Sequence, residues 1–226
     1  MELKQYQQDF IELLVKAEAL KFGEFTLKSG RKAPFFLNTG SFYTGELIHQ
    51  LGKFYAQALK DSGLEFDVVF GPAYKGIPLS VVTTSVLFSE FDNNAAYCFN
   101  RKEAKDYGAS KGKVLVGSPL DENTKVVLID DVITAGTAIR ESIAMLKETG
   151  NPQITGVIIS INRMEKNNDG ENALAKIEEE LGAPVISIVS LDHVIEALYN
   201  KEVDGRVYID DAMMETIKAY REEYGV

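Results

Sequence analysis

A single cysteine, Cys98, excludes an intrachain disulfide and fits a reducing cytosol. Flanked by Tyr97 and Phe99, it reads as a small buried hydrophobe rather than a nucleophile. Histidine is almost as scarce, with two in the chain. His49 falls among polar residues on the outer side of a predicted helix and His193 opens a short one, so neither reads as a catalyst. No apolar run reaches the roughly 18 residues needed to span a bilayer. The N-terminal stretch is charged and amphipathic, without a signal-peptide core, and the expected location is cytoplasmic. Positive charge is in deficit: 24 Lys and Arg against 34 Asp and Glu give a net charge of −10. That speaks against bulk binding to nucleic acid or to an anionic membrane. No Gly-x-x-x-x-Gly-Lys-Ser/Thr occurs, which argues against a P-loop ATPase. Any anionic substrate must therefore meet a local basic cluster on an acidic body.

What is present is organised around Val126–Arg140, VVLIDDVITAGTAIR. The short β-branched run predicts a buried strand of a parallel sheet. The turn after it delivers the chain to a helix N-terminus, where free backbone N–H groups and the helix dipole form an anion site. Gly136 lets the backbone approach a bound group, and Thr134 and Thr137 add hydroxyl donors. Asp130 and Asp131 repel phosphate but accept hydrogen bonds, as the vicinal hydroxyls of a sugar require. Diol beside phosphate is ribose phosphate, although two aspartates closing an apolar strand also fit the magnesium-holding strand of an ATPase or a phospho-acceptor domain.

In chain order, Leu3, Tyr6, Phe10, Leu13, Leu14, Ala17 and Leu20 recur at helical spacing and predict an amphipathic first helix over residues 2–20. Residues 23–40, GEFTLKSGRKAPFFLNTG, predict a β-hairpin outside the main alternation, with Lys28, Arg31 and Lys32 at its tip. Composition alone makes this a solvated tip above core phenylalanines. The functional reading is a hood with Phe35 and Phe36 facing a flat ring and Lys28 reaching an anion. Thr44 is a plausible N-cap for a helix ending at Gly63. The core strand Phe66–Phe70 empties into Gly71-Pro72-Ala73-Tyr74-Lys75-Gly76, on the side of the sheet where open α/β folds bind ligands. After the strand Ala95–Asn100, residues 101–113 form a charged, glycine-punctuated loop. It holds five of the chain's 24 basic residues, the local cluster that the acidic composition demands, and it has the character of a mobile lid over a polyphosphate. Further strands are predicted at Val114–Val116, Ile154–Ile161 and Val185–Val189, with Arg163 just past the second of these. A helix from Asp211 to Tyr224 is strongly charged and is expected on the outside. There is no internal repeat, low-complexity segment or linker, so 226 residues predict one domain with a doubly wound, mostly parallel α/β sheet and a small N-terminal β hood.

With TAGT attached to the two aspartates, Val126–Arg140 resembles the phosphoribosyl-diphosphate (PRPP) binding signature of type I phosphoribosyltransferases. Together with LKSGRKAPFFLN, FGPAYKG, CFNRKEAKDYG, ISINR and the closing KAYREEYGV, the chain resembles orotate phosphoribosyltransferases over nearly its whole length. The resemblance implies formation of orotidine 5′-monophosphate and pyrophosphate from orotate and PRPP, with Mg2+ held mainly by PRPP and water rather than by protein ligands. It assigns the ribose hydroxyls to Asp130 and Asp131 and the 5′-phosphate to Thr134, Ala135, Gly136, Thr137 and Ala138, with Val132 and Ile133 in the same PRPP stretch. Orotate falls to Phe35, Phe36, Thr134 and Arg163, with Arg163 suited to the carboxylate. Pyrophosphate falls to Lys28, Tyr74, Lys75, Arg101, Lys102, Lys105 and Tyr107, of which Arg101, Lys102, Lys105 and Tyr107 form the catalytic loop. It also implies a homodimer with shared active sites. The chain departs from the family where a Lys-Asp-His-Gly is usual: here Lys105-Asp106-Tyr107-Gly108 offers a neutral donor. Two alternatives share parts of this pattern. A transferase for another base would carry the same Asp130–Thr137. A PRPP-sensing regulator would add a basic face or a winged-helix segment, which this sequence lacks.

Overall fold

The computed structural model describes residues 3–27, 30–102, 114–133, 136–167 and 169–226. In chain order the elements are α1 Gln5–Lys16, β1 Leu20–Thr26, β2 Lys32–Leu37, α2 Gly45–Ser62, β3 Val68–Gly71, α3 Gly76–Phe91, β4 Ala96–Asn100 and β5 Leu115–Gly117. Then follow β6 Lys125–Ile129, α4 Thr137–Thr149, β7 Gln153–Asn162, α5 Ala173–Leu181, β8 Val185–Ser190, α6 Leu191–Leu198, β9 Glu202–Val203, β10 Arg206–Val207 and α7 Asp211–Tyr224.

The central sheet has the order β5-β4-β3-β6-β7-β8. All neighbours are parallel except β5, which returns antiparallel to β4 as a three-residue edge. Its strands are apolar on both faces because helices cover both. Val127, Ile129 and Ile158 point into the core on the side of α1, α2, α3, α6 and α7, while Val126, Leu128, Val157 and Ile159 point into the core under α4 and α5. Each such buried aliphatic side chain contributes about 1.5–3 kcal/mol. Register then positions the site. Val68 and Phe70 of β3 stand opposite Val126 and Leu128 of β6, so the loops after the two strands leave the sheet side by side.

The predicted caps of α2 are present: Leu47 N donates to Thr44 Oγ1 at 3.2 Å, and Gly63 closes the helix at φ 69°. The first helix stops earlier than predicted. Glu18 turns left-handed (φ 51°), and Leu20 opens β1 instead of continuing the helical stripe. β1 and β2 form the hood hairpin, Leu20 opposite Leu37 and Phe22 opposite Phe35. α7 is largely exposed, in keeping with the expected outer position, but it packs by one face. Met214, Ile217 and Tyr220 make a buried stripe on it, since the charges that dominate its composition sit on the other side. The small β9–β10 hairpin was not predicted, although its Asp204-Gly205 turn, both residues at positive φ, is a hairpin dipeptide readable in the sequence. Among the described residues, no helix is long and apolar enough to cross a membrane.

Candidate active site

The floor of the site is the end of β6. Its backbone is fixed from three sides. Asp130 N donates to Ile158 O at 3.0 Å, the hydroxyl of fully buried Tyr55 donates to Asp130 O at 2.8 Å, and Ser160 donates to Asp131 O from both N (2.9 Å) and Oγ (2.6 Å). On this rigid base Asp131 Oδ2 accepts from Lys75 Nζ at 2.5 Å and from Thr39 Oγ1 at 2.8 Å, while its Oδ1 accepts from Val132 N at 2.9 Å. Asp130 Oδ1 accepts the backbone hydrogen of Asp131 N at 2.8 Å. Burial first, and then the Asp131 charge, push the Asp130 carboxyl up to about 7, with Lys75 pulling the other way. The two aspartates thus differ: Asp131 is ion-paired, whereas Asp130 next to it is driven toward its protonated form.

Lys75 is delivered by the loop after β3. That loop closes on itself so tightly that a Cβ on Gly71 would lie 2.0 Å from Gly76 O, so neither position has room for a side chain. Ala73 N donates to Asn100 Oδ1 at 2.8 Å, tying the loop to the end of β4. Tyr74 is largely exposed, and Lys102 Nζ stands 5.4 Å from its ring centroid. Arg101 continues the β4–β5 ladder through Arg101 N to Val114 O, and its buried Nε has no hydrogen-bond partner among the described residues. Lys105 and Tyr107, like Lys28, Thr134 and Ala135, lie outside the described residues.

Beyond the aspartates, Gly136 caps α4 in a left-handed conformation (φ 72°), and a Cβ there would meet Ile177 Cδ1 at 2.2 Å. Thr137 begins the helix, and Val132, Ile133 and Ala138 face the cavity. The far wall comes from the hood and from the end of β7. Strand alternation separates the two predicted aromatics: Phe35 is buried, with its ring edge-on to Tyr220 at 6.0 Å, while Phe36 is 42% exposed and stacks on Phe25 at 5.5 Å. Arg163 lies over Phe35, 5.4 Å from the ring centroid. Its Nη2 is 2.7 Å from Glu165 Oε1, an ion pair by distance but without the alignment of a hydrogen bond, and among the described residues neither its Nε nor its Nη2 has an aligned acceptor. Arg31 and Lys32, expected in a cluster at the hood tip, are engaged structurally. Arg31 donates to Lys166 O and Asn167 O, and Lys32 pairs with Glu24.

These walls enclose a cavity of about 960 Å³, into which Phe36, Tyr74, Lys75, Asp130, Asp131 and Arg163 converge. A diol-accepting floor and a cationic rim share one space with an arginine facing an aromatic hood, so a sugar, an anion and a flat acidic ring can be held together. Among the described residues, no group of three or more His, Cys, Asp or Glu could hold a metal ion by itself. Tyr55, Ser160, Thr39, Asn100 and Glu165 were not found by sequence reasoning. Each acts across 27 or more residues of chain except Glu165, two residues from Arg163, and none belongs to a local pattern.

Comparison with known proteins agrees with this geometry. Residues 38–183 match the model of the phosphoribosyl transferase domain family. The chain is 48% identical to an orotate phosphoribosyltransferase of Lachnoclostridium phytofermentans over 99% of both chains, and 50% identical to one of Vibrio parahaemolyticus over 99% of this chain and all of the other. The crystal structure of the orotate phosphoribosyltransferase of Francisella tularensis superposes with a TM-score of 0.82 at 41% identity, covering 96% of this chain and 100% of that one.

Proposed function

The chain belongs to the orotate phosphoribosyltransferase family, and we propose that it transfers the 5-phosphoribosyl group of PRPP to orotate, releasing pyrophosphate and forming orotidine 5′-monophosphate for UMP synthesis. One observation carries the choice of base. Arg163, over Phe35 and ion-paired to Glu165, lines the same cavity as Asp130 and Asp131. A pyrimidine carboxylate is the anionic acceptor that suits a guanidinium on the cavity wall.

In the reaction, the bond from C1 of the ribose to the diphosphate lengthens, positive charge grows on the sugar and negative charge on the leaving group. Asp130 and Asp131 accept the two ribose hydroxyls and hold the ring while this happens. Thr134–Ala138 receive the 5′-phosphate at the start of α4. Lys75 releases Asp131 and turns to the diphosphate, joined by Tyr74, Lys28, Arg101, Lys102, Lys105 and Tyr107. Charged donors aimed at growing charge in a water-poor site stabilise the transition state directly, each such hydrogen bond contributing about 1.5–3 kcal/mol. Orotate arrives as an anion, so neither a covalent nucleophile nor a strong base is required. Thr134, with Phe35 and Phe36, frames its ring. The carboxylates of Asp130 and Asp131 are hard oxygen donors of the kind Mg2+ accepts. The ion is assigned mainly to PRPP and water, as the family resemblance implies, and when bound it would neutralise charge on the diphosphate.

The chain acts in the cytoplasm as a homodimer. Support for the dimer comes from an unpartnered apolar surface on α3 and β4, where Phe88 is 66%, Val81 39% and Tyr97 39% exposed. It adjoins the strand that leads into residues 101–113, which suits a loop shared between subunits.

The test is loss of orotate absorbance when protein, PRPP and Mg2+ are mixed. Adenine, hypoxanthine and uracil serve as competing bases. Turnover with orotate is expected. Turnover with a purine in its place, or none at high protein concentration, refutes the reading.

A further inference from the structure

The segment after α7 pairs with the segment that carries Arg163, and the reaction described above makes no use of this. Lys166 N donates to Tyr224 O at 2.8 Å and Val226 N to Met164 O at 3.1 Å, with Glu165 opposite Gly225 in an antiparallel bridge. From within α7, Tyr220 Oη donates to Glu165 Oε1 at 2.8 Å, the same oxygen that lies 2.7 Å from Arg163 Nη2. Arg31 closes the arrangement from the hood. Its guanidinium sits 4.7 Å from the Tyr224 ring centroid and donates to Lys166 O at 3.0 Å.

Arginine has a long arm with several rotamers, and a cation facing an open cavity would normally sample many of them. Here the choices are removed. Phe35 supports the guanidinium from below, Glu165 fixes one edge, and Tyr220 fixes Glu165, with both ion-pair partners nearly buried at 12% and 13% exposure. Burial and then the Glu165 charge push the Tyr220 hydroxyl upward, so it remains a donor. A buried pair of this kind costs desolvation and is weak evidence for stability, but it does define a single orientation.

We propose that Glu165, itself held by Tyr220 and by Tyr224–Val226, is the positioning residue that aims Arg163 at the base carboxylate, and so sets the discrimination between a carboxylated pyrimidine and one lacking that group. This rests on the orotate reading above. It also gives a task to the closing KAYREEYGV, which acts through the shape of the base pocket and touches no substrate.

The test is steady-state kinetics of the unsubstituted chain, Tyr220→Phe, Glu165→Gln and a chain lacking residues 224–226. Tyr220→Phe keeps the ring against Phe35 and removes only the hydroxyl, so it stays informative if the truncation fails to fold. In Tyr220→Phe and Glu165→Gln, KM for orotate is expected to rise about tenfold or more from misalignment. KM for PRPP should stay within about twofold, the pattern of a lost contact to one substrate. Competitive inhibition by uracil, which has no carboxylate, should be unchanged. Orotate and PRPP constants rising in step, or an orotate KM unmoved in both variants, overturns the positioning role. Absence of orotate turnover in the unsubstituted chain is a separate result that overturns the function itself.

Discussion

Replacing Asp130 by asparagine should make the protein more stable at neutral pH while disabling it. Asp130 holds its proton up to about pH 7 in the folded chain, against 3.8 for an ordinary aspartate, chiefly because it is buried and next because Asp131 is charged beside it. Folding therefore takes up a proton between about pH 4 and pH 7. The stability tied to this group is fully present below about pH 4, declines as pH rises, and is lost above about pH 7. A difference of about three pH units at about 1.4 kcal/mol each puts the ceiling near 4 kcal/mol, and sharing of the proton with Asp131 lowers the realised value. Asparagine keeps an oxygen for the backbone hydrogen of Asp131, which Asp130 Oδ1 now accepts. The neutral side chain thus removes the penalty without opening the turn. Urea unfolding of both proteins from pH 4.5 to 8.5 isolates the effect of Asp130 and its coupling to Asp131, because titrating groups remote from the pair cancel in the difference. The advantage of Asp130→Asn should grow with pH and level off above about pH 7, while kcat/KM for PRPP falls at least about tenfold through loss of a charged acceptor. A difference that stays flat across this range refutes the argument. A difference that grows with pH would make the buried carboxylate a case of stability given up for function.

Thr39→Val keeps the side-chain shape and removes the 2.8 Å hydrogen bond to Asp131 Oδ2, so KM for PRPP should rise about three- to tenfold, equivalent to about 1 kcal/mol. Thr39→Ser should restore it, and an equal loss in both variants would count against a role for the hydroxyl. Gly136→Ala places a methyl 2.2 Å from Ile177 Cδ1 at φ 72° and should cost more than about 1 kcal/mol in stability, seen as a lower unfolding midpoint. Phe88→Glu charges the apolar surface of α3. Sedimentation should show the unsubstituted chain as a dimer and this variant shifted to monomer, and an unchanged dimer would place the interface elsewhere.

Much of the architecture could be read before any coordinates, because it is written in local periodicity. The apolar runs that became β3, β6, β7 and β8 are short and β-branched, and only strands buried on both faces accommodate them. The caps of α2 were legible for the same reason, since Thr44 and Gly63 act on their own neighbours. The limits appear where composition was taken for position. The many charges of α7 mark its exposed face correctly, but they hid the single stripe of three side chains by which it packs. Leu20 kept helical spacing, but one left-handed residue before it redirected the chain into the hood.

By itself, then, the sequence determined the alternation of strands and helices, and it held the Asp130–Thr137 pattern and the basic stretch on which the proposed ribose-phosphate and polyphosphate roles rest. Strands, helices and local motifs are legible because they involve residues close together in the chain. Tertiary structure alone decided how the two aspartates differ, which of the paired phenylalanines lies under Arg163, and what holds that arginine still. Those outcomes come from burial and from partners distant in sequence: Lys75 and Thr39 on Asp131, Tyr55 on the Asp130 carbonyl, and Tyr220 on Glu165. Desolvation and long-range hydrogen bonding are set by the packed molecule, and no window along the chain contains both ends of such an interaction.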